Sequence, residues 1–131
     1  MTTAVKRTDL AVYERLTRMD DAELVAGIRD LLGAKLTAYL GEVTETRTVR
    51  QWAEGERAIR SSVARERLRV AFRAASLVAE ADSQRVAQAW FQGLNPMLDD
   101  QSPARYLREA SDQEKAGARV LASARQFAAV G

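Results

Sequence analysis

Arg47, Arg50 and Gln51, preceded by Thr44 and Thr46, carry the most chemistry in this chain; they lie in the stretch AKLTAYLGEVTETRTVRQWAEG, from Ala34 to Gly55. Guanidinium and carboxamide groups hydrogen-bond the edges of guanine and adenine in a DNA major groove, and threonine hydroxyls donate to phosphates. Arg57 and Arg60 extend the basic run. Other chemistries are poorly supplied. The chain holds no Cys and no His, so thiolate metal sites, disulfides and the commonest acid/base group are missing. Asp99 and Asp100 are adjacent acids without a His or a second acidic cluster, and they read as turn residues rather than as an acid/base pair. The expectation is a binding protein, not an enzyme, with no cofactor and no metal ion.

The elements that must position these groups follow from periodicity. Leu36, Tyr39 and Leu40 repeat at helical spacing, Gly41 stops that helix in a backbone region open to glycine, and Val43 packs the turn. Thr44 or Thr46 is placed to cap a second helix, in which Val49 and Trp52 face inward while Arg47, Arg50 and Gln51 project elsewhere. Two short helices joined by a tight turn, the second one basic, outline a helix-turn-helix. Upstream, Asp20 and Glu23 form a D-x-x-E start for a supporting helix carrying Leu24, Val25, Ile28, Leu31 and Leu32, ended by Gly33. Leu10, Tyr13 and Leu16 mark a short helix before it, after a frayed stretch of residues 1–9.

Downstream the reading is helical almost throughout. Ser61 or Ser62 opens a long helix with Val63, Leu68, Phe72, Ala75 and Val78 or Ala79 as its apolar stripe, long enough to bridge two halves of a molecule. Ser83 opens another, closed by Gly93, in which adjacent Trp90 and Phe91 cannot share one face. Asn95-Pro96 forces a turn, and Ser102-Pro103 reads as the cap and first position of a short helix holding Tyr106 and Leu107. A last helix runs from about Ser111 to Ala128 with Ala116, Val120, Ala124 and Phe127 along one side.

At 131 residues the chain holds one modest core or two very small ones. Its net charge of +2 is unevenly spread: residues 43–73 carry eight Arg against four acids, whereas the flanking segments are slightly acidic. Charge placed there suits phosphate contacts, although a solvated Arg-rich helix face accounts for the run equally well. No segment approaches the ~20 apolar residues of a membrane span, and the first residues lack the apolar core of a signal peptide. A cytoplasmic protein without a membrane partner is expected.

The block from Ala89 to Glu109, AWFQGLNPMLDDQSPARYLRE, resembles the C-terminal domain of Xre/MbcA/ParS-type antitoxins, and the upstream two-helix motif is similar to the degenerate helix-turn-helix of that family. The likeness spans roughly residues 24–128. It implies an all-α fold with an N-terminal helix-turn-helix bundle over residues 1–60, joined by a long helix to a toxin-binding domain over residues 61–131. By the resemblance, this is a type II antitoxin that occludes a RES-domain, NAD-degrading toxin and binds operator DNA to repress its own operon. It would work as a homodimer and as a hetero-oligomer with toxin. DNA would be held by Thr44, Thr46, Arg47, Arg50, Gln51, Arg57 and Arg60. Trp90, Asn95, Pro96, Leu98, Ser102, Pro103 and Leu107 match the motif that builds the toxin-binding domain. Tyr106 belongs to the same surface, with Val120, Leu121 and Phe127 of the last helix nearest the toxin and the end through Gly131 near its active-site entrance. Truncation after Ala118 is then expected to release toxin and spare DNA binding. Two departures from the family pattern stand out: Asp99-Asp100 replaces a common Gly, and the turn between Gly41 and Val49 is one residue longer than the tightest spacing. A stand-alone helix-turn-helix regulator and a helical adaptor are the other readings.

Overall fold

The structure is a computed structural model that describes residues 3–130. It is all-helical, and the described residues form no named strand. Among them eight α-helices follow in order: α1 Thr3–Thr17, α2 Asp21–Leu32, α3 Ala34–Leu40, α4 Thr46–Ala53, α5 Ser62–Ala81, α6 Gln84–Gln92, α7 Pro103–Glu109 and α8 Gln113–Val130. A 3-10 turn, Pro96–Leu98, separates α6 from α7.

Most helix starts are local events. Asp20 Oδ1 accepts from the Glu23 amide at 2.8 Å, and Glu23 Oε1 accepts from the Asp20 amide at 3.1 Å, a reciprocal cap that satisfies two otherwise orphaned donors. Ser61, Ser83 and Ser102 each accept from the amide three residues on, opening α5, α6 and α7. The start of α4 differs from expectation. Its cap is Glu45, which makes no side-chain bond to the helix, so neither Thr44 nor Thr46 closes that end.

The helix α5 organises the core. Of the expected stripe, Leu68, Phe72, Ala75 and Val78 are buried but Val63, in the first turn, is 50% exposed; the helix also buries Ala64, Ala71, Ala74 and Leu77, because alanines on its remaining faces let neighbours approach closely. Helices α1, α2, α3, α6 and α8 all pack on it. One hydrophobic cluster therefore runs without a break from Val12 in α1 to Ala124 in α8.

Helix α1 begins at Thr3, within the stretch expected to fray. It is held by buried Val5, Val12 and Leu16, and by Asp9, which pairs with Arg73 at 3.2 Å and Arg125 at 2.8 Å. Leu10 and Tyr13 face outward instead of joining Leu16.

The connection from α3 to α4 turns on two neighbouring residues. Gly41 is not left-handed; it sits at φ −81°, and the positive φ of 57° falls on Glu42. The Val43 amide donates to Ala38 O at 3.0 Å, which closes the helix end around Glu42. Glycine is needed at 41 because a Cβ there would lie 2.8 Å from Trp52 Cζ3 and 3.3 Å from Thr37 O. Gly41→Ala should therefore cost ~1–3 kcal/mol through overpacking against the indole. Urea unfolding checks this, and a variant of wild-type stability would show that Trp52 moves aside freely.

Arg67 locks the same turn from inside the molecule. It is only 3% exposed, and its Nε and Nη1 each meet two acceptors. Its Nη1 donates to Leu40 O at 2.9 Å and pairs with Glu42 Oε1 at 2.8 Å, while Nε donates to Leu107 O and Gln113 Oε1, each at 3.2 Å. One guanidinium thus ties the end of α3 and its left-handed neighbour to the end of α7 and the start of α8.

Candidate nucleic-acid interface and a second apolar surface

Val49 and Trp52 are buried against α2 and α3, which directs the opposite side of α4 to solvent. Thr44, Thr46, Arg47, Arg50, Arg57 and Arg60 are all exposed. Gln51 is half-buried, and its Oε1 accepts from Arg57 Nη1 at 3.5 Å. Glu45, Glu54 and Glu56 share this segment, yet Arg47, Arg50 and Arg60 enter no ion pair among the described residues.

The Arg-rich segment divides in two. On α5, Arg65 pairs with Asp21 at 3.0 Å, Arg67 with Glu42, Arg69 with Glu66 at 3.8 Å and Arg73 with Asp9. Hydrogen bonding to Asp21 and its charge hold the Arg65 guanidinium above its ordinary range. Arg65, Arg67 and Arg73 thus hold α5 to other elements, whereas the Arg69 pair stays within α5. The four that precede α5 are the ones left to meet a partner.

The region expected to meet a toxin also divides. Leu98, Leu107, Val120 and Leu121 are buried, so they build the core beneath the surface and are not available for docking. The expected effect of truncation after Ala118 changes accordingly. Cutting there removes Val120, Leu121 and Ala124 from the packing of α8 on α5, and the whole fold, α4 included, loses its support.

Asn95 is a knot in the loop. Its Oδ1 accepts from the Met97 amide and its Nδ2 donates to Ser123 Oγ, both at 2.9 Å, while its own amide donates to Gln101 O at 3.1 Å. Asp99 and Asp100, with φ of 56° and 59°, complete the turn in the left-handed region, where glycine carries the least cost. Tyr106 is half-buried, and its hydroxyl accepts from Arg119 Nη1 at 2.6 Å.

What remains accessible is different from the expected set. Pro96 is exposed, Trp90 and Phe127 are half-buried, and Phe91 is the inward partner of Trp90, with ring centroids 5.2 Å apart in a T-shaped contact. Leu94 and Met97, not singled out from sequence, are 79% and 40% exposed. Their signal was available: apolar residues in the G-L-N-P-M turn follow no helical period, and a turn this short leaves them unburied.

Among the described residues no group of His, Cys, Asp and Glu could hold a metal ion, and no helix is long and apolar enough to cross a membrane. No protein-family model, curated protein or solved structure matches the chain.

Proposed function

We propose that this chain is a DNA-binding antitoxin. In this reading α2, α3 and α4 form the helix-turn-helix, α4 enters the major groove of operator DNA, and Arg47 and Arg50 read base edges or phosphates. The observation that carries it is the set of exposed arginines ahead of α5, beside a turn clamped by buried Arg67. Recognition needs such rigidity, because a loosely held helix pays ordering entropy on binding. A homodimer would place two copies of α4 on half-sites ~34 Å apart.

The second half of the proposal rests on the resemblance of the N-P-x-L…S-P block to Xre/MbcA/ParS-type antitoxins. Helices α6 to α8 would dock a RES-type NAD-degrading toxin through Trp90, Leu94, Pro96, Met97 and Phe127, and neutralise it by occlusion. Exposed apolar groups clustered along one short turn suit that role.

The test is co-expression with the product of the neighbouring gene, followed by size-exclusion chromatography and measurement of NAD loss. A complex that no longer consumes NAD supports the reading. The double variant Leu94→Asp, Met97→Asp should keep wild-type stability, since both side chains face solvent, and should weaken toxin capture by ~2 kcal/mol, about 30-fold. Undiminished capture would remove this turn from the interface.

A further inference from the structure

We propose that Arg108, on α7, acts with Lys35 on α3 as an anchor for a DNA backbone phosphate, so that the C-terminal half of the chain also grips DNA. This rests on the reading of α4 given above. Between α3, the α3–α4 turn and α7 lies an open cavity of about 680 Å³, lined by Lys35, Tyr39, Thr44, Thr46, Arg47 and Arg108. Among the described residues, Arg108 is the one on its wall from the C-terminal half of the chain. Its Nη1 donates to Tyr39 O at 3.0 Å, and its guanidinium carbon stands 4.6 Å from the centroid of the Tyr39 ring. Those contacts hold the side chain against α3 while using few of its donors, and no carboxylate among the described residues neutralises it.

Glu42 and Glu45 also stand on the wall. Glu42 is committed to buried Arg67, which leaves Glu45 against three cations. Guanidinium, ammonium and hydroxyl donors around a net-positive cleft suit a phosphodiester oxygen. The occupant is DNA rather than an acidic peptide because Thr46 and Arg47 belong both to this wall and to the start of α4. A strand whose bases face α4 passes its phosphates beside that end of the helix.

The experiment uses the full chain, a duplex taken from directly upstream of its gene and a scrambled duplex of equal length, titrated across a range of salt. Arg108→Gln and Lys35→Gln should each weaken binding ~3- to 10-fold on both duplexes and reduce the slope of log K against log salt by ~1. Arg108→Lys should retain most of the slope, and Lys6→Gln on α1, which packs on α5 and α8, should change nothing. An unchanged slope in Arg108→Gln overturns the proposal, whether or not melting temperature falls; if Arg50→Ala still loses affinity, the reading of α4 survives. Absence of salt-dependent binding by the wild-type chain overturns both.

Discussion

Arg67→Met should lower the free energy of unfolding by ~2–4 kcal/mol, a larger effect than any other arginine substitution in the basic segment. Methionine fills much of the stem's volume, so the loss is polar. Leu40 O, at the buried end of α3, loses its guanidinium donor at 2.9 Å. Leu107 O keeps a second donor, Gln113 Nε2 at 2.9 Å, and the side chain of Glu42 is 51% exposed and regains water. The cost is therefore below that of stranding a fully buried charge, and is set by one orphaned carbonyl and the missing charge-assisted bonds. Thermal unfolding should show a drop of roughly 6–15 °C for a chain of this size. Arg69→Ala is the contrast, because its pair with Glu66 spans 3.8 Å at the surface and should be worth under ~0.5 kcal/mol. Equal stability of Arg67→Met and wild type would mean that the clamp is dispensable.

A second expected result separates binding from folding. Replacing Arg47 and Arg50 together by alanine should weaken binding to the upstream duplex by ~2–4 kcal/mol, about 30- to 1000-fold, with unfolding free energy changed by less than ~0.5 kcal/mol. Both side chains are exposed and form no ion pair among the described residues, so the folded state is not weakened when they go. If either meets a phosphate, the salt slope falls by ~0.9 for each phosphate that is no longer neutralised. Fluorescence anisotropy across a salt series reads both quantities. Wild-type affinity in the double variant would leave α4 as a solvated basic helix, and the proposed operator binding would have to use another surface.

These two variants replace the same residue type within one segment, and their opposite outcomes bear on how far a sequence can be read. Helix starts were legible because their causes are local. Asp20 with Glu23, Ser61, Ser83 and Ser102 ahead of Pro103 each satisfy amides within three residues. The inward setting of Val49 and Trp52, the separation of Trp90 and Phe91 onto different faces and the turn at Asn95-Pro96 follow from periodicity and proline geometry for the same reason, whereas packing decided that Phe91 is the one that points inward. Local rules failed where a distant neighbour intervened. Gly41 looked like a left-handed stop, but the indole of Trp52 demands glycine there and the left-handed residue is Glu42, held by Arg67.

The sequence by itself determined an all-helical chain, where most helices begin, and which segment is rich in arginine. Only the tertiary structure decided which arginines are free. Arg65 meets Asp21 across 44 residues, Arg73 meets Asp9 across 64, and Arg67 reaches Leu40 and Leu107 across 27 and 40, whereas Arg47, Arg50 and Arg60 find no carboxylate among the described residues. The same holds for Leu98, Leu107, Val120 and Leu121, whose place in a motif marked them as contacts and whose packing makes them core. The physical reason is range. Caps and periodicity act within a turn or two of helix, while charge pairing and burial depend on which helices α5 brings together.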